Sequence, residues 1–146
     1  MDSMPRQILA EKANVEAAIR NLEDVIVRRE RTVVELAAIG VFLHNIYNGM
    51  ENILKQTLKL KGIQIPRSEN WHKELINLSV SNEVITESLS DELFEYLTFR
   101  HFFVHAYGFM LEEAPLEVLA DNIPGLWMRF MSEIDNSLRH VSTPPV

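Results

Sequence analysis

The sequence predicts an all-α fold, an antiparallel bundle of about five helices. Three observations carry this. Apolar residues recur at three- and four-residue steps along most of the chain, the period of a half-buried helix. No segment alternates apolar and polar residues with the two-residue period of a strand. The stripes are interrupted by short stretches that carry helix-stop and turn residues, so consecutive helices are joined by short connections.

Taken in order, Ile8, Val15, Ile19, Leu22 and Ile26 form one stripe, with Pro5 suited to a first helical turn. A break is expected near Glu30 to Thr32. A second helix is predicted from about Thr32 to Lys61, with Leu36, Leu43, Tyr47, Met50, Leu54 and Leu58 on one face. The small Ala37 and Gly40 would admit a neighbouring helix closely. Gly62 is a natural C-terminal stop, and Ile63 to Asn70, with Pro66, reads as a loop. Trp71 to Val80 is a short helix with Asn70 as its expected cap.

Ser81 to Ser88 reads as a polar connection. Ser90 is the expected N-cap of a fourth helix, with Asp91 and Glu92 at its positive end. That helix carries Leu93, Phe94, Tyr96, Leu97, Phe99, Phe102, Phe103 and Val104, apolar on more than one side, and is expected at the centre of the core. Leu116 to His140 forms the last helix. Pro124 falls inside it and should kink or split it. One domain over residues 1–140 and a disordered tail over 141–146 are expected.

Composition narrows the function classes. The N-terminal residues show no apolar core of signal-peptide length, and the apolar runs are too short to span a bilayer, so a soluble, cytoplasmic protein without a membrane partner is expected. The chain has no cysteine, which removes disulfides, thiolate metal sites and cysteine nucleophiles together. Its formal charge of −7 argues against coating nucleic acid by bulk electrostatics, but leaves room for a local basic groove. Two basic groups stand out: Arg28, Arg29 and Arg31, and then Lys55, Lys59, Lys61, Arg67 and Lys73. The plainer reading of both is a solvated helix face.

The segment from Phe99 to Gly108 concentrates the chemistry. Arg100, His101, His105 and Tyr107 lie within eight residues of an otherwise apolar, aromatic helix. Burying an Arg and two His without partners is costly, so either structural hydrogen bonds or a site must compensate. In the structural case, Arg100 would pair with Glu92 or Glu95 and the histidines would be satisfied interior groups. On a helix, Arg100 and Tyr107 share nearly one face, His101 and His105 another, and Arg100 and His105 stand about 140° apart. One regular helix would not aim Arg100 and His105 at the same atom; a local break, the reach of Arg, or a second copy across a two-fold axis would bring them together.

The string Arg100-x4-His105-x-Tyr107 resembles the Rx4HxY signature of HepT-like proteins in the HEPN family, and His101 is a residue type usual after the Arg there. The order of helices is similar too, over roughly Met4 to His140, and Trp71-His72 at the start of the short helix is a further likeness. The resemblance implies a HEPN-like bundle and a metal-independent endoribonuclease, the toxin of a HEPN/MNT toxin–antitoxin pair, working as a homodimer without a cofactor. Arg100 and His105 would be catalytic, His101 supporting. His, with an ordinary pKa near about 6.5, would move protons to and from ribose oxygens, and Arg would hold phosphate oxygens. The resemblance also implies a nucleotidyltransferase antitoxin of the MNT type that neutralises the toxin by adding AMP to Tyr107. The implied substrate is RNA rather than DNA, with tRNA favoured.

Two other readings compete. His101-x3-His105 has metal-ligand spacing, but Phe102 stands where an HExxH motif needs Glu, and only Glu95 or Glu112 could add a ligand, so no metal is expected. A non-catalytic helical binding or nucleotide-sensing module, partnering a nucleotidyltransferase, fits the acidic charge. His44, Asn45 and Tyr47, mid-helix near Asn48 and Glu51, would sooner be satisfied core groups than cleft-lining ones, Trp71 and Trp127 core or dimer contacts, and His72 a cap or surface residue.

Overall fold

A computed structural model describes residues 4–27, 31–106 and 113–142. Five helices follow one another: α1 (Arg6–Ile26), α2 (Val33–Leu60), α3 (Trp71–Ser81), α4 (Glu87–Ala106) and α5 (Glu113–Ser142). Cross-helix pairs fix their directions. Val15 meets Gly49 while Glu11 meets Asn52, so α1 and α2 are antiparallel. His44 meets Phe103 and Asn48 meets Arg100, so α2 and α4 are antiparallel as well. Tyr96 donates to the Leu119 carbonyl at 2.6 Å and Arg129 pairs with Glu92, which sets α4 against α5 in the same sense.

The α1–α2 corner is chemically fixed. Thr32 and Glu35 form a reciprocal capping box, with the Glu35 N–H donating to Thr32 Oγ1 at 3.2 Å and the Thr32 N–H donating to Glu35 Oε1 at 2.8 Å. Next to it, the almost fully buried Arg31 donates to the Ile26 carbonyl at 2.7 Å and pairs with Glu113 and Glu117, both at 3.1 Å. One guanidinium thus joins the end of α1 to the start of α5. The helices α1 and α2 pack tightly at Gly49, where an added Cβ would sit 2.2 Å from Val15 Cγ2. At the far end of α2, Gly62 has φ +78°, its N–H bonds the Lys59 carbonyl and the Ile63 N–H bonds that of Leu58, the paired bonds of a glycine-terminated helix.

By length and composition, α2 is apolar enough to cross a membrane, contrary to the expectation that no run would be. In the bundle that apolarity is met by protein: Ile39, Leu43, Ile46, Met50, Ile53, Leu54 and Leu58 are all buried in the core. Trp127 is buried as well, with Nε1–H reaching Glu16 Oε2 on α1 at 3.2 Å.

Three local expectations are corrected. Asn70 makes no side-chain cap; its backbone (φ −100°, ψ 23°) is not the extended one from which a cap side chain reaches the free N–H groups, and its carbonyl joins the helix instead. The fourth helix starts at Glu87. Its cap is Thr86, whose Oγ1 accepts from the Leu89 N–H at 3.2 Å, while Ser90 Oγ donates back to the Glu87 carbonyl. Glu133 of α5 holds Thr86 in place by accepting from both its N–H and its hydroxyl. Lastly, α4 is central only in its first part. Leu89, Leu93 and Tyr96 are buried, whereas Phe102 is 42% and Val104 47% exposed.

The last helix continues unbroken through Pro124, which lies on its exposed side and forgoes the intrahelical bond to Ala120, the ordinary cause of a bend. It also continues two residues into the expected tail; residues 143–146 lie outside the described ones.

Candidate functional site

The site begins on α2. His44, Asn48 and Glu51 are spaced four and three apart, so they form a polar stripe on an otherwise apolar helix. Opposite them stand Arg100 on α4 and His72 on α3. Arg100 Nε–H donates to Asn48 Oδ1 at 2.9 Å. A guanidinium only donates, so this contact fixes the amide orientation. The Asn48 NH2 must then face His44 Nε2, 3.0 Å away, and that nitrogen must accept. The His44 proton therefore resides on Nδ1, a buried atom without a hydrogen-bond partner among the described residues. Burial first, and the Arg100 charge second, hold the His44 pKa below its ordinary value, against an opposing pull from Glu51. The ring is neutral at pH 7 and lies 5.6 Å from the Phe103 ring, which stacks in turn on Phe99.

Glu51 is 3% exposed, and His72 Nδ1 lies 2.7 Å from its Oε2. His72 is thus a half-buried partner of α2 rather than a cap or a free surface residue. The Tyr47 hydroxyl is buried beside the same carboxylate. Desolvation, then the Glu51 charge, raise its pKa far above the usual tyrosine range, so it stays protonated. Arg100 pairs with neither Glu92, which is engaged by Arg129, nor Glu95. Its partner is an amide, which carries no charge to neutralise it. Among the described residues no protein atom engages its two terminal nitrogens.

His101 and His105 lie on the exposed side of α4, one turn apart, with ring centroids separated by 4.3 Å. His105 Nδ1–H donates to the His101 carbonyl at 2.9 Å, which leaves Nε2 as the free lone pair of the neutral ring. No hydrogen bond, ion pair or ring contact joins Arg100 to His101 or His105 among the described residues, as the 140° separation requires. No group of three His, Asp or Glu is arranged to hold a metal ion among those residues either. Tyr107 and Glu112 lie outside the described residues.

The sequence brings Arg100, His101 and His105 forward but reads His44 as a core group and marks Asn48 and Glu51 only as its neighbours. The signal was present in the four-and-three spacing of polar residues on α2. What was absent was any means of knowing that Arg100 would face that stripe.

The family of HepT-like proteins matches this sequence over residues 38–141. The chain belongs to that family. This HepT-like match takes in the polar stripe of α2, the α3 helix and the motif helix, and begins after α1. Among solved structures, a chain described as "Crystal structure of the toxin-antitoxin with AMP-PNP" is similar at a TM-score of 0.68 and 19% identity, covering 90% of this chain and 96% of that chain. At that identity the likeness shows the fold alone. No curated protein matches.

Proposed function

We propose that this HepT-like chain is the toxin of a HEPN/MNT toxin–antitoxin pair and a metal-independent endoribonuclease, with tRNA the favoured substrate. The observation that carries the reading is the state of the two motif groups. Arg100 is fastened by Nε alone, which leaves Nη1 and Nη2 for two phosphate oxygens. His105 is fastened by Nδ1, which leaves Nε2 exposed as a base.

The chemistry follows from those atoms. His105 Nε2 takes the proton of a ribose 2′-hydroxyl, and O2′ attacks the adjacent phosphorus. The bond to the 5′-oxygen breaks, that oxygen receives the proton His105 had taken up, and a 2′,3′-cyclic phosphate remains. Arg100 stabilises the charge gathering on the phosphate oxygens in the transition state. His101 supports the base through its carbonyl and its neighbouring ring. DNA lacks the 2′-hydroxyl nucleophile and is not cut.

A homodimer completes the site. Arg100 and His105 diverge on one helix, and the exposed Phe102 and Val104 on that helix give a second copy an apolar surface to cover. The likeness to a chain from a toxin–antitoxin structure supports an antitoxin partner, here a nucleotidyltransferase of the MNT type. AMP added to Tyr107, two residues beyond His105, would place a bulky anion near the phosphate site and repel RNA. The reaction belongs in the cytoplasm, where tRNA resides.

Digestion of total RNA in excess chelator tests the reading, with His105→Ala and Arg100→Ala alongside and Tyr107 shown by mass spectrometry to be unmodified. Cleavage by the wild type alone supports it. A folded, unmodified dimer that cuts nothing would instead be a binding module, and equal cleavage by all three proteins would remove the assigned roles.

A further inference from the structure

The charge of the chain is unevenly placed. Residues 55–73 carry five Lys or Arg and a single carboxylate, Glu69, while the remaining residues carry nine Lys or Arg and twenty carboxylates. In the structure those five cations, Lys55, Lys59, Lys61, Arg67 and Lys73, form no ion pair with any described residue, although Arg31, Arg129 and Arg139 all do. Lys55 is held instead over the Trp71 ring, its Nζ 4.0 Å from the centroid.

Four of them, Lys55, Lys59, Arg67 and Lys73, border a row of neighbouring hollows that share lining residues. A hollow of about 360 Å³ lies between α3 and α4, with His72, Lys73, Thr98 and His101 around an apolar floor of Phe94 and Leu97. Glu69 is shared with the next hollow, bordered by Lys55, Arg67 and Trp71. Lys55 and Arg67 are shared with a third, which reaches Lys59 on the last turn of α2. A concave path therefore runs from a motif histidine, across the start of α3, to the α2–α3 connection.

We infer that this path binds the phosphate backbone of a nucleic-acid strand that flanks the phosphate held by Arg100. The inference rests on the ribonuclease reading for the identity of the strand; the path itself rests on charge and shape. Unpaired cations in an acidic protein attract a polyanion locally, and each phosphate they neutralise releases counterions condensed on the strand. The Trp71 ring is already engaged by Lys55 and by His72, whose ring centroid is 3.6 Å away, so the path reads charge rather than stacked bases. Binding should thus be insensitive to sequence and steeply dependent on salt.

The test uses a fluorescein-labelled 2′-O-methyl oligonucleotide of about 12 residues, which cannot be cleaved, read by anisotropy between roughly 50 and 200 mM salt. Lys59 and Arg67 are both exposed, so Lys59→Glu with Arg67→Glu should leave the fold intact. Affinity is expected to fall at least about tenfold, and the salt slope by about 1.4 for two lost phosphate contacts on a single strand. Cleavage of a dinucleotide too short to leave the motif should be unchanged. Unchanged affinity and slope in the double variant would overturn the inference. So would loss of the nucleotidyltransferase complex with oligonucleotide binding intact, which would make the path a protein-docking surface. If the wild type binds, the variant does not, and neither cuts RNA, the path stands and the nuclease reading fails.

Discussion

Arg100 hangs from Asn48 by its Nε, 2.9 Å from the amide oxygen, and through that amide sets the tautomer of His44. A residue of the motif is thus oriented by α2, fifty-two residues earlier in the chain.

Replacing Asn48 by Leu removes the acceptor for Arg100 and the donor for His44 together. We expect kcat/KM for RNA cleavage to fall about ten- to a hundredfold through loss of guanidinium orientation. Stability should fall by about 1–3 kcal/mol for polar atoms left without partners. Urea unfolding beside single-turnover kinetics separates the two effects. Full activity in the folded variant would show that Arg100 needs no support from α2.

His44 gives a pH dependence with a definite sign. Its folded pKa lies below the unfolded value of 6.5, so below that pH the unfolded chain binds more protons. Stability should be flat above pH 6.5 and decline as the pH falls through it toward the folded value. The loss should stay well under ~1.4 kcal/mol per pH unit, because the half-buried ring is partly screened by water. Urea midpoints at several pH values check this, and His44→Gln should flatten that part of the profile.

Glu51 and His72 form a part-buried link between α2 and α3. Removing His72 alone leaves a carboxylate without its partner in the interior, and His72→Ala should cost about 2–4 kcal/mol. Replacing both, Glu51→Leu with His72→Leu, should recover most of that loss. A double-mutant cycle by denaturation measures it; strictly additive single losses would deny the coupling.

Gly49→Ala improves helix propensity yet should destabilise the protein by about 1–3 kcal/mol, since the new methyl collides with Val15. Combining it with Val15→Ala should restore part of the loss. Thermal unfolding of the three variants reads the effect directly.

The helices were legible because apolar period and stop residues are local signals. Gly62 ends α2 where its lack of a Cβ permits a positive φ, and the capping box of Thr32 and Glu35 sits where the break was read. The start of α4 was misread because Thr86 and Ser90 are equivalent caps in sequence; Glu133, forty-seven residues away, decides between them. Likewise, the exposed Phe102 and Val104 look like core by composition, and only the position of the other helices reveals that none covers them. Arg100, His101 and His105 were legible as a cluster of expensive groups. Their partners were not, because donors and acceptors on separate helices leave no mark in local periodicity.

The relay from Arg100 through Asn48 to His44 also furnishes an intrinsic gauge of occupancy. The guanidinium charge helps keep the His44 ring neutral. An anion seated on Arg100 cancels part of that field, so the imidazole takes up a proton more readily when the clamp is filled than when it is empty. The ring nitrogens of His44, one bonded to Asn48 and the other buried, would report by their magnetic resonance whether a phosphate is in place.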